Sequence, residues 1–415
     1  MAVIRPFKGV RPKNEIADKV ASYPYDVINS KEAMEIAGEN PLSFLHVVKP
    51  EIDLSEDINL YDERVYQKAK ENFENMLKDG NLVQDEKPHL YIYKQKMGDH
   101  QQYGIIGCAS ADEYNNNIIK KHEFTRKTKE DDRTKHVITL NANTGPVFLT
   151  YRNQDIIDST ISEYVKSNNP DVDFIADDGI EHTLWVINDD SINTKLVNTF
   201  KNNVEYLYVA DGHHRSASAA RAQTEKIKND KNPDSNKEYN YFLAVYFPAN
   251  QLKILDYNRV LFSLNGHEPE NFLEKLQEKF DIISEDTTPD PKSPKEFGMY
   301  FGGKWYQLRA KVGTYPTDDP VKCLDVAILQ DNLLSPILGI GDPRTDNNID
   351  FVGGIRGASE LVKRVDSGEC KVAFKLHPTS VDQLISVADA DKIMPPKSTW
   401  FEPKLRSGLI VHLLD

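Results

Sequence analysis

The chain has 415 residues, of which 39% are hydrophobic and 28% charged, and its formal net charge is −14. This composition is typical of a soluble globular protein, and the length suggests two or three domains. The acidic balance argues against a general nucleic-acid or membrane-surface binder, because the overall field repels phosphate polymers.

Local sequence excludes further classes. No stretch approaches the roughly 20 apolar residues that a membrane span needs, and charges interrupt the start too early for a secretory signal. Cys108, Cys323 and Cys370 are far apart and form neither a disulfide framework nor a metal-binding pair. A reducing, cytoplasmic location is therefore expected. The choice between a monomer and a dimer stays open.

The predicted elements alternate between helix and strand, which favours an α/β fold with a partly parallel sheet. Along the chain the sequence predicts a helix from Ser30, a strand over 44–50, a helix over 61–78, a hairpin of strands 89–96 and 102–111, a helix over 154–167, a strand over 183–189, a helix over 191–202, a strand over 205–211, a helix over 215–226, a strand over 241–248, a helix over 270–279, strands near 299–310, a helix over 326–338 and a strand over 370–378. We expect a first α/β domain over 1–265 and a smaller α/β domain over 266–415, with a tail folding back towards the site.

The segment VADGHHRSASAARA, residues 209–222, predicts a strand, a glycine turn and a helix start. Such a turn brings backbone N–H groups and the positive helix end to one point, where phosphate binds well. The predicted phosphate ligands are Gly212, His213, His214, Arg215 and Ser216. Asp211 is the acid of the cluster, available to hold a metal ion or to take a proton. A helix cap with a structural ion pair, or a direct histidine–metal site, is the alternative.

A second cluster, KKHEFTRKTKEDDRTKH over 120–136, has seven Lys or Arg against four acids. This local reversal of charge suits an anionic ligand. The candidates are His122, Glu123, Thr125, Lys129, Asp132 and Arg133. A solvated helix with charged pairs four residues apart is the alternative.

Three weaker signals remain. His182 and Trp185 are candidates for one wall of a site, although a core tryptophan beside a satisfied histidine would give the same pattern. Asp26, which follows Pro24 in a rigid loop or strand end, is either a polar turn residue or a site carboxylate. Lys397 and Thr399 are candidates for a substrate-contacting lid.

Several motifs in one order, PYDVI, HEFTR with KEDDR, ADGHHR, FVGGIRG and PPKSTWFEPKLRSGL, together resemble a widespread family labelled a domain of unknown function. Through its Asp-Gly-x-His-Arg turn, that family is similar to the ParB/sulfiredoxin-like superfamily and to archaeal free serine kinases, in which the turn binds the transferred phosphate. The resemblance implies a ParB/sulfiredoxin-like α/β core with this turn at Asp211, Gly212, His214 and Arg215. Some members resemble pyrophosphate-dependent L-serine kinases, which make O-phosphoserine for serine and cysteine biosynthesis.

The resemblance thus implies a phosphotransferase acting on L-serine and pyrophosphate, with Mg²⁺ held mainly by the diphosphate and with neither nucleic acid nor membrane as partner. Glu123 is expected to accept the serine hydroxyl proton, with Asp26 and Glu181 as rivals. ADP or ATP as donor, a phosphohydrolase, and a ParB-like nucleotide-binding regulatory module are the alternatives.

Overall fold

The computed structural model describes residues 1–285 and 290–415. They form two compact units: unit 1 comprises Met1–Leu252 and Pro403–Asp415, and unit 2 comprises Lys253–Glu402. The division falls at Leu252, before the boundary expected near residue 265. The final segment Pro403–Asp415, which the sequence placed in the second domain, is part of unit 1 because its pairings, described below, are all with unit 1.

Helices and strands are mixed throughout, which confirms the predicted α/β class. The α-helices in the described residues are α1 Ala17–Val20, α2 Ser30–Ala37, α3 Leu45–Val48, α4 Glu63–Lys78, α5 Ala111–Asn115, α6 Lys127–Leu140, α7 Asp155–Ser167, α8 Asp190–Asn203, α9 His213–Asn229, α10 Pro269–Gln277, α11 Asp325–Leu329, α12 Gly357–Asp366 and α13 Val381–Asp389. The strands are β1 Val10–Pro12, β2 Leu82–Gln84, β3 Tyr91–Met97, β4 His100–Ser110, β5 Ile119–Lys120, β6 Ala142–Asn143, β7 Val147–Tyr151, β8 Val172–Ile175, β9 Glu181–Val186, β10 Leu207–Asp211, β11 Tyr241–Pro248, β12 Lys253–Leu255, β13 Tyr257–Leu261, β14 Phe280–Glu285, β15 Glu296–Phe301, β16 Lys304–Ala310, β17 Ile349–Gly353, β18 Val372–Leu376, β19 Trp400–Glu402 and β20 His412–Leu413.

An eight-stranded sheet forms the centre of unit 1, in the order β5-β10-β7-β11-β4-β3-β9-β8. The pairs β5–β10 and β7–β11 are parallel and the other pairs are antiparallel, so the sheet is partly parallel, as predicted. One buried cluster joins this sheet to helices α7 and α8 through Ile157, Ile161, Leu196 and Phe200. This packing fixes the sheet whose strand β10 leads into the DGHHR turn.

Helix starts follow local capping chemistry. The predicted helix from Ser30 is α2, and its N-cap is Asn29, which forms a reciprocal capping box with Glu32. The predicted helix over 61–78 is α4, capped by Asp62. Its buried face packs in a second cluster of unit 1, where Ala69 and Phe73 meet α3.

The predicted strand over 44–50 is wrong, because this segment contains helix α3. The hydroxyl of Ser43 accepts a hydrogen bond from the Leu45 N–H at 3.3 Å, which favours a helical turn. Leu45, Val47 and Val48 are then buried together in the second cluster. Burial in this cluster outweighs the strand propensity of the two valines.

The final segment is attached to unit 1 along its length. Ser407 pairs with Ser22 and Val411 with Val10 as isolated antiparallel bridges, and β20 pairs with β6. Unit 2 contains a six-stranded antiparallel sheet in the order β14-β16-β15-β18-β13-β17. Among the described helices, none has both the length and the apolar character needed to cross a bilayer.

Candidate functional site

The turn between strand β10 and helix α9 is the centre of the candidate site. The strand ends at Asp211, and Gly212 turns the chain with a φ of 96°, which residues with a side chain rarely adopt. Helix α9 begins at His213, earlier than the predicted start at Arg215. The N-cap residue of this helix, Gly212, has no side chain to cap the first-turn N–H groups, so they depend on other acceptors.

Asp211 has three polar contacts among the residues that the structure describes. Its Oδ1 accepts a hydrogen bond from the Gly212 N–H at 2.9 Å, and its Oδ2 accepts one from Lys404 Nζ at 3.3 Å and lies 3.8 Å from Arg215 Nη2. Burial alone would raise the pKa of Asp211, but Lys404 and Arg215 outweigh that effect and hold this pKa below its ordinary value. Asp211 is therefore ionised at neutral pH.

Arg215 connects the turn to the PYDVI motif. Its guanidinium donates to the carbonyl of Pro146, and its Nη2 lies 3.6 Å from Oδ2 of Asp26. Its Nε is buried and has no hydrogen-bond partner in the part of the chain that the structure describes. A buried unsatisfied donor is costly, so this nitrogen marks a position where a ligand oxygen would be stabilised.

Two histidines meet beside the turn. His122 follows strand β5 and contacts His213 edge to face, with ring centroids 4.5 Å apart. Nδ1 of His213 lies 3.7 Å from Oε2 of Glu123. Both ring nitrogens of His122 and Nε2 of His213 are buried without a hydrogen-bond partner among the described residues. Because β5 and β10 are parallel neighbours, the residues after their carboxyl ends lie at one edge of the sheet.

These histidines are neutral at pH 7. Burial lowers the pKa of His122 to about 4 and lowers that of His213 as well. Burial also lowers the pKa of His214, and the nearby charges of Arg126 and Lys129 act in the same direction. Nε2 of His214 accepts a hydrogen bond from the Arg126 N–H at 3.0 Å. The loop that precedes helix α6 is thereby tied to the first turn of α9.

Helix α6 places Arg133 against the PYDVI motif. Its guanidinium lies 4.2 Å from the centre of the Tyr25 ring, and its Nε donates to Asp132 at 2.9 Å. Asp132 also accepts a hydrogen bond from the Tyr66 hydroxyl at 2.8 Å. Burial opposes ionisation of Asp132, but Arg133 overcomes this and lowers its pKa. Asp132 therefore orients Arg133.

A pocket of about 40 Å³ lies beside the turn. Tyr25, Arg133, Gly145, Arg215 and Ser407 are among its lining residues. A Cβ at position 145 would lie 3.2 Å from the Ser407 hydroxyl, so glycine lets this wall come close. Two guanidinium groups on one small pocket suit an anionic or zwitterionic ligand.

Residues of three motifs, PYDVI, HEFTR with KEDDR, and ADGHHR, thus meet in unit 1. The PKLRSGL part of a fourth motif contacts them. Sequence reasoning missed Lys404, which lies 193 positions after Asp211 in the chain. It also missed Tyr25 and Ser407 as pocket residues. The motifs PYDVI and PKLRSGL contained all three, and their occurrence together with ADGHHR was the signal available.

Two predicted ligands have internal hydrogen bonds instead. Ser216 is fully buried and its hydroxyl donates to the carbonyl of Gly212 at 2.9 Å, one helical turn back. Thr125 donates to Glu130 at 2.8 Å. Both hydroxyls stabilise the ends of helices that carry the site.

The structure does not bring His182 to the turn. It lies on β9, five strand positions from β10, or about 24 Å at ordinary strand spacing. Arg406 Nε donates to its Nε2 at 3.2 Å, which leaves Nδ1 to donate to the Tyr93 hydroxyl at 2.6 Å. Burial lowers the pKa of His182 to about 3, and Arg406 adds to the shift. Its partner, Arg406, belongs to the final segment.

Trp185 and Glu181 are on the same distant strand. The Trp185 indole is buried in the sheet's core cluster and donates to the Asn168 carbonyl at 3.2 Å. Glu181 forms an ion pair with Lys96 at 2.7 Å. Neither side chain lies at the DGHHR turn.

The proposed lid residues belong to unit 2. Lys397 lies with its Nζ 5.4 Å from the Tyr257 ring centre, and its carbonyl accepts a hydrogen bond from Arg259 at 3.0 Å. Thr399 is half-buried in the same segment. The turn itself is in unit 1.

No group of three or more histidine, cysteine or carboxylate side chains in the described residues is placed to hold a metal ion. Mg²⁺, however, is usually bound by one or two carboxylates together with substrate phosphates. Asp211 and Asp26 are the two carboxylates that lie within 4 Å of Arg215. The residues fit an ion that arrives with a phosphate ligand.

The fold and the site together define a mixed α/β protein whose candidate site is the turn between strand β10 and helix α9. The chain belongs to the family described as a protein of unknown function, DUF1015, whose model matches residues 4–327. The predicted membership of a family of unknown function is thereby confirmed. Curated proteins give no match.

Solved structures with partial similarity include a free serine kinase in complex with AMP, at 12% identity and a TM-score of 0.33, covering 72% of this chain and 86% of that chain. SbnI with a C-terminal truncation from Staphylococcus aureus gives 12% identity and a TM-score of 0.35, with coverages of 74% and 87%. A conserved hypothetical protein from Pyrococcus furiosus gives 13% identity and a TM-score of 0.34, covering 75% of this chain and 95% of that chain. Identities and TM-scores are both low, so function is inferred from the site residues.

Proposed function

We propose that this protein is a free L-serine kinase that transfers a phosphoryl group from pyrophosphate to L-serine, giving O-phosphoserine and phosphate. The observation that carries the proposal is the arrangement around Arg215, where an open helix start, two carboxylates and an unsatisfied buried Nε converge. Phosphoryl transfer depends mainly on positioning and charge neutralisation, and such an arrangement supplies both.

The diphosphate would bind at the start of helix α9. Backbone N–H groups, Arg215 and Arg133 would neutralise the charge that develops on the transferred group. The pocket between the two arginines, which Ser407 also lines, would receive serine. Asp211 would hold the Mg²⁺ that accompanies the diphosphate and supplies further charge neutralisation.

The chemical step moves one proton and one phosphoryl group. The serine hydroxyl loses its proton to a carboxylate, its oxygen forms a bond to phosphorus, and the bridging oxygen–phosphorus bond breaks to release phosphate. Glu123, 3.7 Å from His213, is the proposed base. Asp26, 3.6 Å from Arg215, is the rival carboxylate at the turn.

The experiment that tests this function compares donors. The purified protein is incubated with L-serine, Mg²⁺ and an equal concentration of pyrophosphate, ADP or ATP, and O-phosphoserine is measured over time. We expect rapid formation with pyrophosphate, little with either nucleotide, and loss of activity on chelation of Mg²⁺.

Two results would contradict the proposal in different ways. Activity with ADP but none with pyrophosphate would show that the protein is a serine kinase whose donor is ADP. Release of phosphate from O-phosphoserine, with no phosphoserine formed from any donor, would identify a phosphohydrolase.

A further inference from the structure

Lys404 is a largely buried lysine that contacts the turn. Its side chain is only 13% exposed, and its Nζ lies 3.3 Å from Oδ2 of Asp211 at the end of strand β10. Lysine side chains are rarely buried unless they are paired. The ammonium group is thus positioned next to the turn where the phosphates would bind.

The backbone of Lys404 itself is fixed by two buried glutamines. Nε2 of Gln95 donates to the carbonyl of Lys404 at 2.9 Å, and Nε2 of Gln102 donates to Oε1 of Gln95 at 3.1 Å. Both glutamine side chains are fully buried. Because a buried amide needs its hydrogen-bond partners, this chain of amides sets where Lys404 lies.

The chain is fixed again two residues later. The Arg406 guanidinium is buried, donates to Asp178 and His182, and lies 4.0 Å from the Tyr23 ring centre. The chain is therefore anchored at the Lys404 carbonyl and again at Arg406, so the position of the Lys404 ammonium group is built into the fold of unit 1.

Charged side chains of both signs meet at the turn. Asp211 and Asp26 carry two negative charges, and Arg215 and Lys404 carry two positive charges within 4 Å of them. An ammonium group has three N–H donors and binds phosphate as a point charge. A diphosphate at the start of α9 adds negative charge that the cation beside Asp211 is placed to neutralise.

We infer that Lys404 is a phosphate-binding residue of this site, supplied by the final segment of the chain. The inference rests on the proposed function in that pyrophosphate is taken as the ligand. The buried cluster of Arg406, Asp178 and His182 then acts as the anchor that positions Lys404.

The test measures pyrophosphate binding by calorimetry, in the presence of Mg²⁺, for the full chain and for Lys404→Met, Lys404→Gln and Lys404→Arg. Lys96→Met is the matched control, since Lys96 is paired with Glu181 on the distant strand β9. We expect the Met and Gln variants to weaken binding by about 10- to 100-fold, as for loss of one charge-assisted hydrogen bond. The Arg variant and the control should stay within about threefold of the wild type. Gln retains a donor towards Asp211, so it separates loss of charge from loss of the structural contact.

The outcomes separate this inference from the proposed function. Wild-type pyrophosphate affinity in a folded Met or Gln variant, or no pyrophosphate binding by the wild type, overturns the role of Lys404. If the wild type phosphorylates serine while the Met and Gln variants match it in affinity and kcat, the kinase stands and Lys404 is only structural. If the variants bind pyrophosphate weakly but the wild type makes no phosphoserine, Lys404 keeps its role and the kinase proposal fails.

Discussion

Glu123 and Asp26 lie beside different residues in the first turn of helix α9. Glu123 lies 3.7 Å from the buried His213, and Asp26 lies 3.6 Å from Arg215. Asp26, which contacts a guanidinium, is suited to orient that group, and Glu123 is the proposed proton acceptor. The two therefore have different expected roles.

Glu123→Gln is expected to lower kcat by about 100-fold or more, the usual contribution of a general base, while the affinity for pyrophosphate stays nearly unchanged. Glu181→Gln is the matched control, because that carboxylate is paired with Lys96 away from the turn. Single-turnover assays and pyrophosphate titrations of both variants check this. If Glu123→Gln is fully active and Asp26→Asn is inactive, Asp26 rather than Glu123 is the general base.

The residues nearest the turn were predictable, and the more distant residues of the candidate site were not. Asp211, Gly212 and Arg215 follow one another in a strand–turn–helix pattern that has a local signature. Lys404 depends on a contact across 193 positions. Ser216 has the right residue type, but its position in the first turn directs its hydroxyl to the carbonyl of Gly212.

At the level of elements, the join between β10 and α9 depends on Gly212. A Cβ there would require an L residue at a φ of 96° and would lie 3.1 Å from Arg215 Nε. Gly179 in the same unit also has a positive φ, of 77°, but a Cβ there meets nothing within 4 Å. Comparing substitutions at the two glycines therefore distinguishes the effect of backbone strain from the effect of contact with Arg215.

Gly212→Ala and Gly179→Ala are both expected to lose about 1–2 kcal/mol of unfolding free energy through backbone strain. Gly212→Ala alone should also lose pyrophosphate affinity, because its methyl group displaces Arg215. Urea unfolding and calorimetry of the two variants give these quantities. Equal pyrophosphate affinity in the two variants would show that Arg215 does not depend on Gly212.

Long elements with clear periodicity were predicted well, and short ones were not. The helix over 61–78 and the strand over 241–248 have regular patterns and lie where expected. The segment 44–50 is too short for its periodicity to decide, and burial against α4 makes it helical. Strand β20 has two residues and no pattern of its own.

At the scale of the whole molecule, buried neutral histidines make stability depend on pH. Burial lowers the pKa of His136 to about 4, and Arg133 adds to the shift. In the unfolded chain a histidine takes up a proton below about pH 6.5, whereas folded His136 stays neutral until about pH 4. The unfolded state then binds more protons, so the free energy of unfolding falls as pH decreases through this window.

Between pH 7 and pH 5, the free energy of unfolding of His136→Gln should therefore fall by about 2 kcal/mol less than that of the wild type. The difference should grow by about 1.4 kcal/mol per pH unit below pH 6.5. Glutamine can still donate to the Val47 carbonyl that His136 Nε2 contacts at 3.0 Å. Urea unfolding across this pH range measures the difference. Between pH 7 and pH 8 the difference in unfolding free energy between the two proteins should stay constant. A difference that stays constant down to pH 5 would contradict the lowered pKa of His136.

The division into units was predictable only in outline. Length and the change in character of the last third indicated two α/β domains, and the structure has two compact units. The return of Pro403–Asp415 to unit 1 depends on pairings with Val10, Ser22 and strand β6 near the start of the chain. Such distant partners leave no trace in local composition.

This return has a consequence for biosynthesis. The DGHHR turn and the strands around it are made early, but Lys404 and Ser407 are translated only after all of unit 2. At roughly 5–20 residues per second, the 404 − 252 = 152 residues from the end of that part of unit 1 to Lys404 take about 8–30 s to make. A nascent chain that has just reached Leu252 therefore holds the turn without its closing lysine for that time.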